Sequence, residues 1–319
     1  MGLMTAEFIF EQAEFASCHA STIVEVEPGK LLAAWFGGTK EGDKDVRIWW
    51  SRHEGSGWPK PQVAAEETGQ PCWNPVLFKS KAGTLFLFYK AGPNPLSWSG
   101  FVRRSADNGL TWSQPEILPA GILGPIKNKP ITLRDGSILS GTSVESHRAW
   151  ACWVERSTDD GRSWRRTGPI TVPDQPYGII QPTLFETRDG RLVMFVRSRN
   201  IGFICQSESK DNGATWSPAQ KTDLPHPGSG IDLVRTGEGI LFLVYNHTPR
   251  FRYPLNLGMS GDEGTTWKMV HTFEEQPGEY SYPAIIQTAD GRLHVTYTWK
   301  RQRIKHVVLD PMQFRASSK

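Results

Sequence analysis

Short apolar runs separated by polar, glycine-bearing turns make up almost the whole chain. The segment Thr183–Phe195 (TLFETRDGRLVMF) shows the unit: one run leads into Asp189-Gly190 and a second leads out. Glycine adopts the positive φ of a tight turn without steric penalty, so this arrangement predicts a β-hairpin. It recurs at Gly29, Gly83, Gly136, Gly190, Gly239 and Gly291, at spacings of 54, 53, 54, 49 and 52 residues. A second series alternates with the first. The pattern S-x-D-x-G-x-T/S-W occupies Ser105–Trp112, Ser157–Trp164, Ser209–Trp216 and Ser260–Trp267, with an eroded copy at Ser51–Trp58. Each unit then reads as four strands: into the glycine turn, out of it, into the Ser-x-Asp turn, and on beyond its Trp.

Six turn glycines give six such units, and four-stranded units at this spacing predict an all-β, six-bladed propeller around a central channel. After Gly291 only Leu293–Trp299 and Ile304–Leu309 remain as strands, so the last unit lacks its fourth. The alternating segment Glu7–Phe15 has no blade of its own and is expected to supply it. That pairing closes the ring and removes an open sheet edge. No Pro/Gly/Ser-rich linker interrupts the repeat, so residues 1–319 are expected to form a single domain.

Composition agrees with this picture and narrows the function. Gly 31 and Pro 23 suit many turns, and 13 tryptophans supply packing between strands. The net charge of +3 is too small to imply nucleic-acid binding, and no apolar run approaches the ~18 residues of a membrane span. Cys18, Cys72, Cys152 and Cys205 show neither CxxC nor zinc spacing and read as buried thiols. The N-terminus lacks a basic start followed by an apolar block, so no signal peptide and a cytoplasmic location are expected. No metal motif, P-loop or dinucleotide fingerprint is present, and neither metal nor cofactor is expected.

The S-x-D-x-G-x-T-W segments resemble the Asp-boxes of the sialidase superfamily, and the resemblance extends over nearly the whole chain. It implies a propeller whose boxes, with Asp107, Asp159, Asp211 and Asp262, brace turns away from the active site. Chemistry is then expected where the first strands converge on the axis. Measured back from the turn glycines, those positions offer His19-Ala20-Ser21, Trp73-Asn74-Pro75, Asn128-Lys129-Pro130, Ile180-Gln181-Pro182, Ser229 to Asp232, and Ser281-Tyr282-Pro283. The ends of the second strands add Tyr89-Lys90, Glu145, Arg197 with Arg199, Asn246-His247, and Trp299 to Arg303 including Arg301. Polar residues recurring at the mouths of apolar strands suit a single pocket, and arginine suits capture of a carboxylate.

The resemblance implies roles for several of these. Tyr282 falls at the nucleophile, Asp43 or Asp45 at the general acid, Arg197 at the second carboxylate-binding arginine, and Arg250 or Arg252 at the third. Two positions depart from the pattern: His19 stands in place of the first arginine, and Gln181 in place of the glutamate that helps the tyrosine. The expected activity is an exo-glycosidase that releases a terminal acidic sugar from a glycan or oligosaccharide. One alternative is a uronate lyase using His19 and Tyr89 with Arg104. Another is a sugar-binding propeller without chemistry. His19 draws particular interest, because an imidazole exchanges protons near neutrality and a guanidinium does not.

Overall fold

The computed structural model describes residues 3–175 and 177–315. β1 (Leu3–Phe8) precedes a first blade of β2 (Ser17–Glu27), β3 (Lys30–Gly38), β4 (Arg47–His53) and β5 (Gln62–Ala65). The second blade is β6 (Cys72–Lys79), β7 (Leu85–Ala91), β8 (Ser99–Ser105) and β9 (Glu116–Ile117). The third is β10 (Ile131–Thr132), β11 (Ile138–Glu145), β12 (Trp150–Ser157) and β13 (Arg165–Ile170). The fourth is β14 (Ile179–Glu186), β15 (Leu192–Ser198), β16 (Phe203–Ser209) and β17 (Gln220–Pro225). The fifth is β18 (Asp232–Arg235), β19 (Leu241–Tyr245), β20 (Leu255–Ser260) and β21 (Lys268–Glu274). The sixth comprises β22 (Tyr280–Gln287), β23 (Leu293–Trp299) and β24 (Arg303–Leu309), with β1 as its outermost strand.

The propeller is therefore the six-bladed, all-β ring that the repeat predicts, closed by the N-terminal strand. The closing strand is Leu3–Phe8 rather than Glu7–Phe15. Its register runs from Leu3 opposite Leu309 to Phe8 opposite Lys305, where β24 is nearly exhausted. One further bond, from the Ile9 N–H to Ile304 O at 2.9 Å, ends the pairing. Ile9 and Phe10 instead turn into the core, where Phe10 packs on Phe15 and Trp35 at centroid distances of 5.3 and 5.1 Å.

Burial follows position in the blade. The second strands lie between neighbouring blades, and β7 is buried along its whole length, whereas β9 is exposed. Strict alternation is therefore lost in the inner strands. Each Asp-box braces its turn in the same way. Ser105 Oγ donates to Asp107 at 2.7 Å and accepts the Gly109 N–H at 2.8 Å, while Asp107 accepts the Thr111 N–H at 2.9 Å. The same bonds recur at Asp159, Asp211 and Asp262. Because the strands are antiparallel, the boxes and turn glycines share one face of the ring. First strands begin, and second strands end, on the other. All four cysteines are free and buried.

Candidate active site

Counting back nine residues from each turn glycine gives Ala20, Asn74, Lys127, Gln181, Gly230 and Tyr282. The five that carry side chains all have positive φ, between +40° and +72°. In β2, β6, β14 and β22 a break in register follows at this point. A left-handed non-glycine residue costs about 1–3 kcal/mol, and bulges re-aim side chains. Repetition of the kink around the axis thus marks a ring of deliberately turned residues. Gly230 fits the same logic by omission, since a Cβ there would lie 3.1 Å from Tyr282.

His19 and Tyr282 form the middle of the site. Their rings lie 4.0 Å apart, both side chains are buried, and His19 Nδ1 shares a 3.0 Å hydrogen bond with Thr298 Oγ1. The Thr298 hydroxyl also accepts the Ala20 N–H at 3.2 Å, while His19 Nε2 is buried with no partner among the described residues. Burial, followed by the positive charges of Arg301, Arg252, Arg197 and Lys127, holds the imidazole well below its ordinary pKa. His19 is therefore neutral near pH 7, a hydrogen-bonding or proton-accepting group rather than a fixed cation.

Three arginines from three blades converge here. Arg197 Nη1 donates to Tyr282 Oη at 2.5 Å and to Gln181 Oε1 at 3.2 Å, while the Gln181 amide donates to the same phenol oxygen at 3.3 Å. Arg252 lies over the Tyr282 ring, 5.7 Å from its centroid, and donates to Glu279 at 2.6 Å. Arg301 donates to Glu279 at 2.6 Å and pairs with Glu41. Burial alone would raise the Glu279 carboxyl, but Arg301 and Arg252 overrule it and hold it below the usual range. Arg301 stands in a tight turn where Lys300 and Arg301 both have positive φ, at +52° and +61°. Its carbonyl is docked on the first blade by the Cys18 N–H at 2.8 Å.

Beneath this cluster Lys127 crosses the axis. Its fully buried Nζ donates to Asn128 Oδ1 at 2.9 Å, to Ile231 O at 2.8 Å and to Pro283 O. Burial is the main cause of a pKa lowered to about 7. Lys127 ties the third blade to the fifth and sixth, directly under the kink at Tyr282.

The structure sorts the remaining sequence candidates. Asn74 holds the second blade's place in the ring. Lys129 does not reach the axis: it bridges to Asp232 at 2.8 Å, and Asp232 also accepts from Thr183 and the Ile285 N–H. Tyr89 is buried in the inter-blade core, stacked on Phe101 at 5.2 Å. Lys90 is likewise buried and donates to Pro125 O at 2.9 Å, so neither side chain is free for substrate. Arg104 pairs with Glu116 and donates to Gly161 O in the next Asp-box, at the opposite face from His19. The trio His19, Tyr89 and Arg104 does not assemble.

At the rim, His247 bonds Tyr245, Arg250 is exposed on the loop before Arg252, and Trp299 packs edge-on against Phe8 at 5.3 Å, sealing the closure. Glu145 lies in the field of Arg197 and Arg199, yet burial keeps its carboxyl raised. Asp45 is committed to its own loop, accepting from Thr39 N–H and Oγ1 at 2.8 Å each. Those bonds hold its carboxyl low, against the requirement of a general acid. Asp43 is exposed on the same loop, which docks over the centre through the pair of Glu41 with Arg301. Glu279, Lys127, Glu41 and Thr298 are the residues that sequence reasoning missed. The constant offset of nine residues before the turn glycine was a signal for Lys127.

Comparison with known proteins agrees with this architecture. The model for the BNR repeat-like domain matches residues 29–295. A sialidase of Micromonospora viridifaciens is 27% identical over 230 residues, covering 65% of this chain and 34% of the sialidase. A protein of unknown function from Dyadobacter fermentans has the same fold, with a TM-score of 0.81 at 19% identity, 97% of this chain and 98% of that one being covered. The Hadza microbial sialidase Hz136 superposes with a TM-score of 0.78 at 17% identity, over 93% of this chain and 66% of its own. The chain spans about a third of the length of the curated relatives it matches.

Proposed function

The chain belongs to the BNR repeat-like domain family, and from that premise we propose that it is an exo-acting glycosidase releasing a terminal acidic sugar. One observation carries the reading: Arg197, Arg252 and Arg301 converge from separate blades on a buried phenol and a neutral histidine. These three guanidiniums outnumber the two carboxylates paired with Arg252 and Arg301, Glu279 and Glu41. Such surplus positive charge in a water-poor site favours an anionic ligand, and planar guanidiniums suit a carboxylate.

In this reading Tyr282 Oη attacks or shields the anomeric carbon. Charge that shifts onto or off the phenol oxygen is met by the Arg197 and Gln181 donors already aimed at it. Gln181 carries no proton-accepting carboxylate, so the phenol proton needs another acceptor. In this reading neutral His19, whose ring centroid lies 4.0 Å from that of Tyr282 and whose Nε2 has no partner among the described residues, is the acceptor that takes it. Asp43, on the loop that Arg301 holds over the mouth, protonates the leaving oxygen.

His19→Gln tests the assignment. It keeps size and one hydrogen bond, so a structural histidine leaves turnover nearly intact. A proton-transfer role instead lowers kcat by a factor of about 10² or more. Turnover within a few-fold of the wild type removes His19 from the chemistry.

A further inference from the structure

The three arginines of the centre are not equally open to an anion. Arg197 is bonded to no carboxylate among the described residues, its partners being the Tyr282 phenol and the Gln181 amide oxygen. Arg252 Nη1 and Arg301 Nε both donate to one oxygen of Glu279, at 2.6 Å each. Arg301 also gives Nη1, on another edge of its guanidinium, to Glu41. Two carboxylates of the chain therefore compete for Arg301 with any acidic ligand.

The two are held differently. Glu279 stands immediately before β22, accepts from Ser281 Oγ at 3.3 Å as well, and serves two cations at once. Releasing it would leave both guanidiniums without their shared counter-ion, which is costly in a partly buried site. Glu41 is exposed, serves one cation, and reaches it from another blade, on the loop between β3 and β4. The sequence makes that loop a self-contained piece. Asp45 accepts from Thr39 N–H and Oγ1 at 2.8 Å each, and the Asp43 N–H donates to Lys40 O at 3.0 Å. At its base a Cβ on Gly38 would lie 2.8 Å from Val46 Cα, so the two ends of the loop close tightly. Gly42, at φ +91°, turns the chain directly after Glu41. Apart from the pair with Arg301, residues 39–45 make no ion pair or hydrogen bond to another blade among the described residues.

We propose that Glu41 is a specificity-determining residue: its carboxylate occupies a guanidinium edge of Arg301 that the carboxylate of an acidic sugar takes over, displacing Glu41 into solvent. A neutral sugar brings no charge to exchange for that of Glu41 and leaves the pair in place. Because the loop is braced within itself, the displaced Glu41 carries Asp43 with it as one piece. The proposal rests on the acidic-sugar reading for its ligand, whereas the competition itself concerns only Glu41 and Arg301.

The sign of one substitution separates a competitor from a brace. Losing a residue that merely braces the site weakens binding, and losing a competitor strengthens it. Isothermal titration with glucuronic acid, N-acetylneuraminic acid and their methyl esters compares the wild type with Glu41→Gln. The variant is expected to bind the acids about three- to fivefold more tightly, the upper range for a partly exposed ion pair, and to leave the esters within about twofold. Glu66→Gln controls for the general field: Glu66 lies on the same face between β5 and β6, pairs with Arg47 at 2.8 Å, and its loss is expected to change neither ligand. Unchanged or weaker acid binding in Glu41→Gln overturns the proposal and leaves the glycosidase reading standing. An equal gain in Glu66→Gln also overturns it, since the effect is then the field and not the displaced pair. If neither the wild type nor Glu41→Gln binds either acid, the acidic-sugar reading fails, and titration with acetate decides the competition. Saturable acetate binding that is tighter in Glu41→Gln supports the proposal, and no difference between the proteins overturns it.

Discussion

Replacing Arg197 by methionine removes the guanidinium that joins Tyr282 and Gln181 and that, in the proposed function, meets the anionic substrate. In the free protein it makes two hydrogen bonds, at 2.5 Å to the phenol and 3.2 Å to Gln181, and its Nε is buried without a partner among the described residues. The side chain is only half-buried, so solvent weakens its charge and the full interior value does not apply. A hydrogen bond to a charged group contributes about 1.5–3 kcal/mol, against about 0.5–1.5 kcal/mol for a neutral pair. At about 1.4 kcal/mol per factor of ten, losing the charged contact costs an acidic ligand roughly 10- to 150-fold in affinity. The methyl ester of the same sugar still accepts from the guanidinium but brings no opposite charge, so its loss is expected to be smaller, toward roughly 2- to 13-fold. Isothermal titration of the acid and its ester against both proteins measures the difference. Arg197→Met is expected to weaken the acid about tenfold more than the ester. Equal losses for the two ligands refute the carboxylate-binding role.

Other perturbations probe separate parts of the account. Asp43→Asn is expected to lower kcat by about 10² or more as the general acid, while Asp45→Asn loosens its loop and acts mainly on KM. If Glu145→Gln is the more damaging change in steady-state kinetics, the acid is the carboxyl that burial already raises. Lys127→Met leaves Asn128 Oδ1 and the carbonyls of Ile231 and Pro283 without their donor, and is expected to destabilise the fold by at least about 1–3 kcal/mol in urea denaturation. An unchanged midpoint removes Lys127 as the strut across the axis. At the ring closure, His294 shares a 2.9 Å hydrogen bond with His306, which in turn bonds Glu7 at 3.0 Å. Burial first, and then the charge of His306, pull His294 down to about 4. The unfolded chain therefore binds more protons between that value and the ordinary histidine pKa near 6.5. Stability is full above about 6.5 and is lost as pH falls toward 4. Thermal melts should show a smaller loss between pH 7 and pH 4.5 in His294→Asn than in wild type, and parallel losses would count against this clasp.

The ring was legible because its signals are local. Turn glycines and Asp-boxes report on a few consecutive residues each, and their count fixes the number of blades without knowledge of any contact between them. Tyr282, Arg197 and Arg252 were legible for a related reason, lying at constant distance from those turns or beside residues that do. Lys127 was obscured by Pro130, which draws the third blade's alignment two residues along the chain toward Lys129. The kinked backbone follows the distance to Gly136 instead. Tyr89 and Lys90 could not be assigned a facing from the sequence, since β7 is buried on both sides and carries no alternation to read. The partnership of Glu279 with Arg252 and Arg301 joins the loops before β20, β22 and β24, a relation created by packing of the fifth blade against the sixth and not by any local pattern. The extent of β1 was set by the length of its partner β24, which the alternation within Glu7–Phe15 does not contain.

The central claim is that the arginine cluster holds a terminal acidic sugar for cleavage with water. Its most direct test is product analysis after incubation with glycans capped by sialic or uronic acids, with released sugars separated by anion-exchange chromatography and ultraviolet absorbance recorded in parallel. The account predicts a saturated acidic monosaccharide, released from the non-reducing end with no new absorbance and lost in Tyr282→Phe. An unsaturated product absorbing in the ultraviolet, or undigested glycan that still binds the protein, would contradict it.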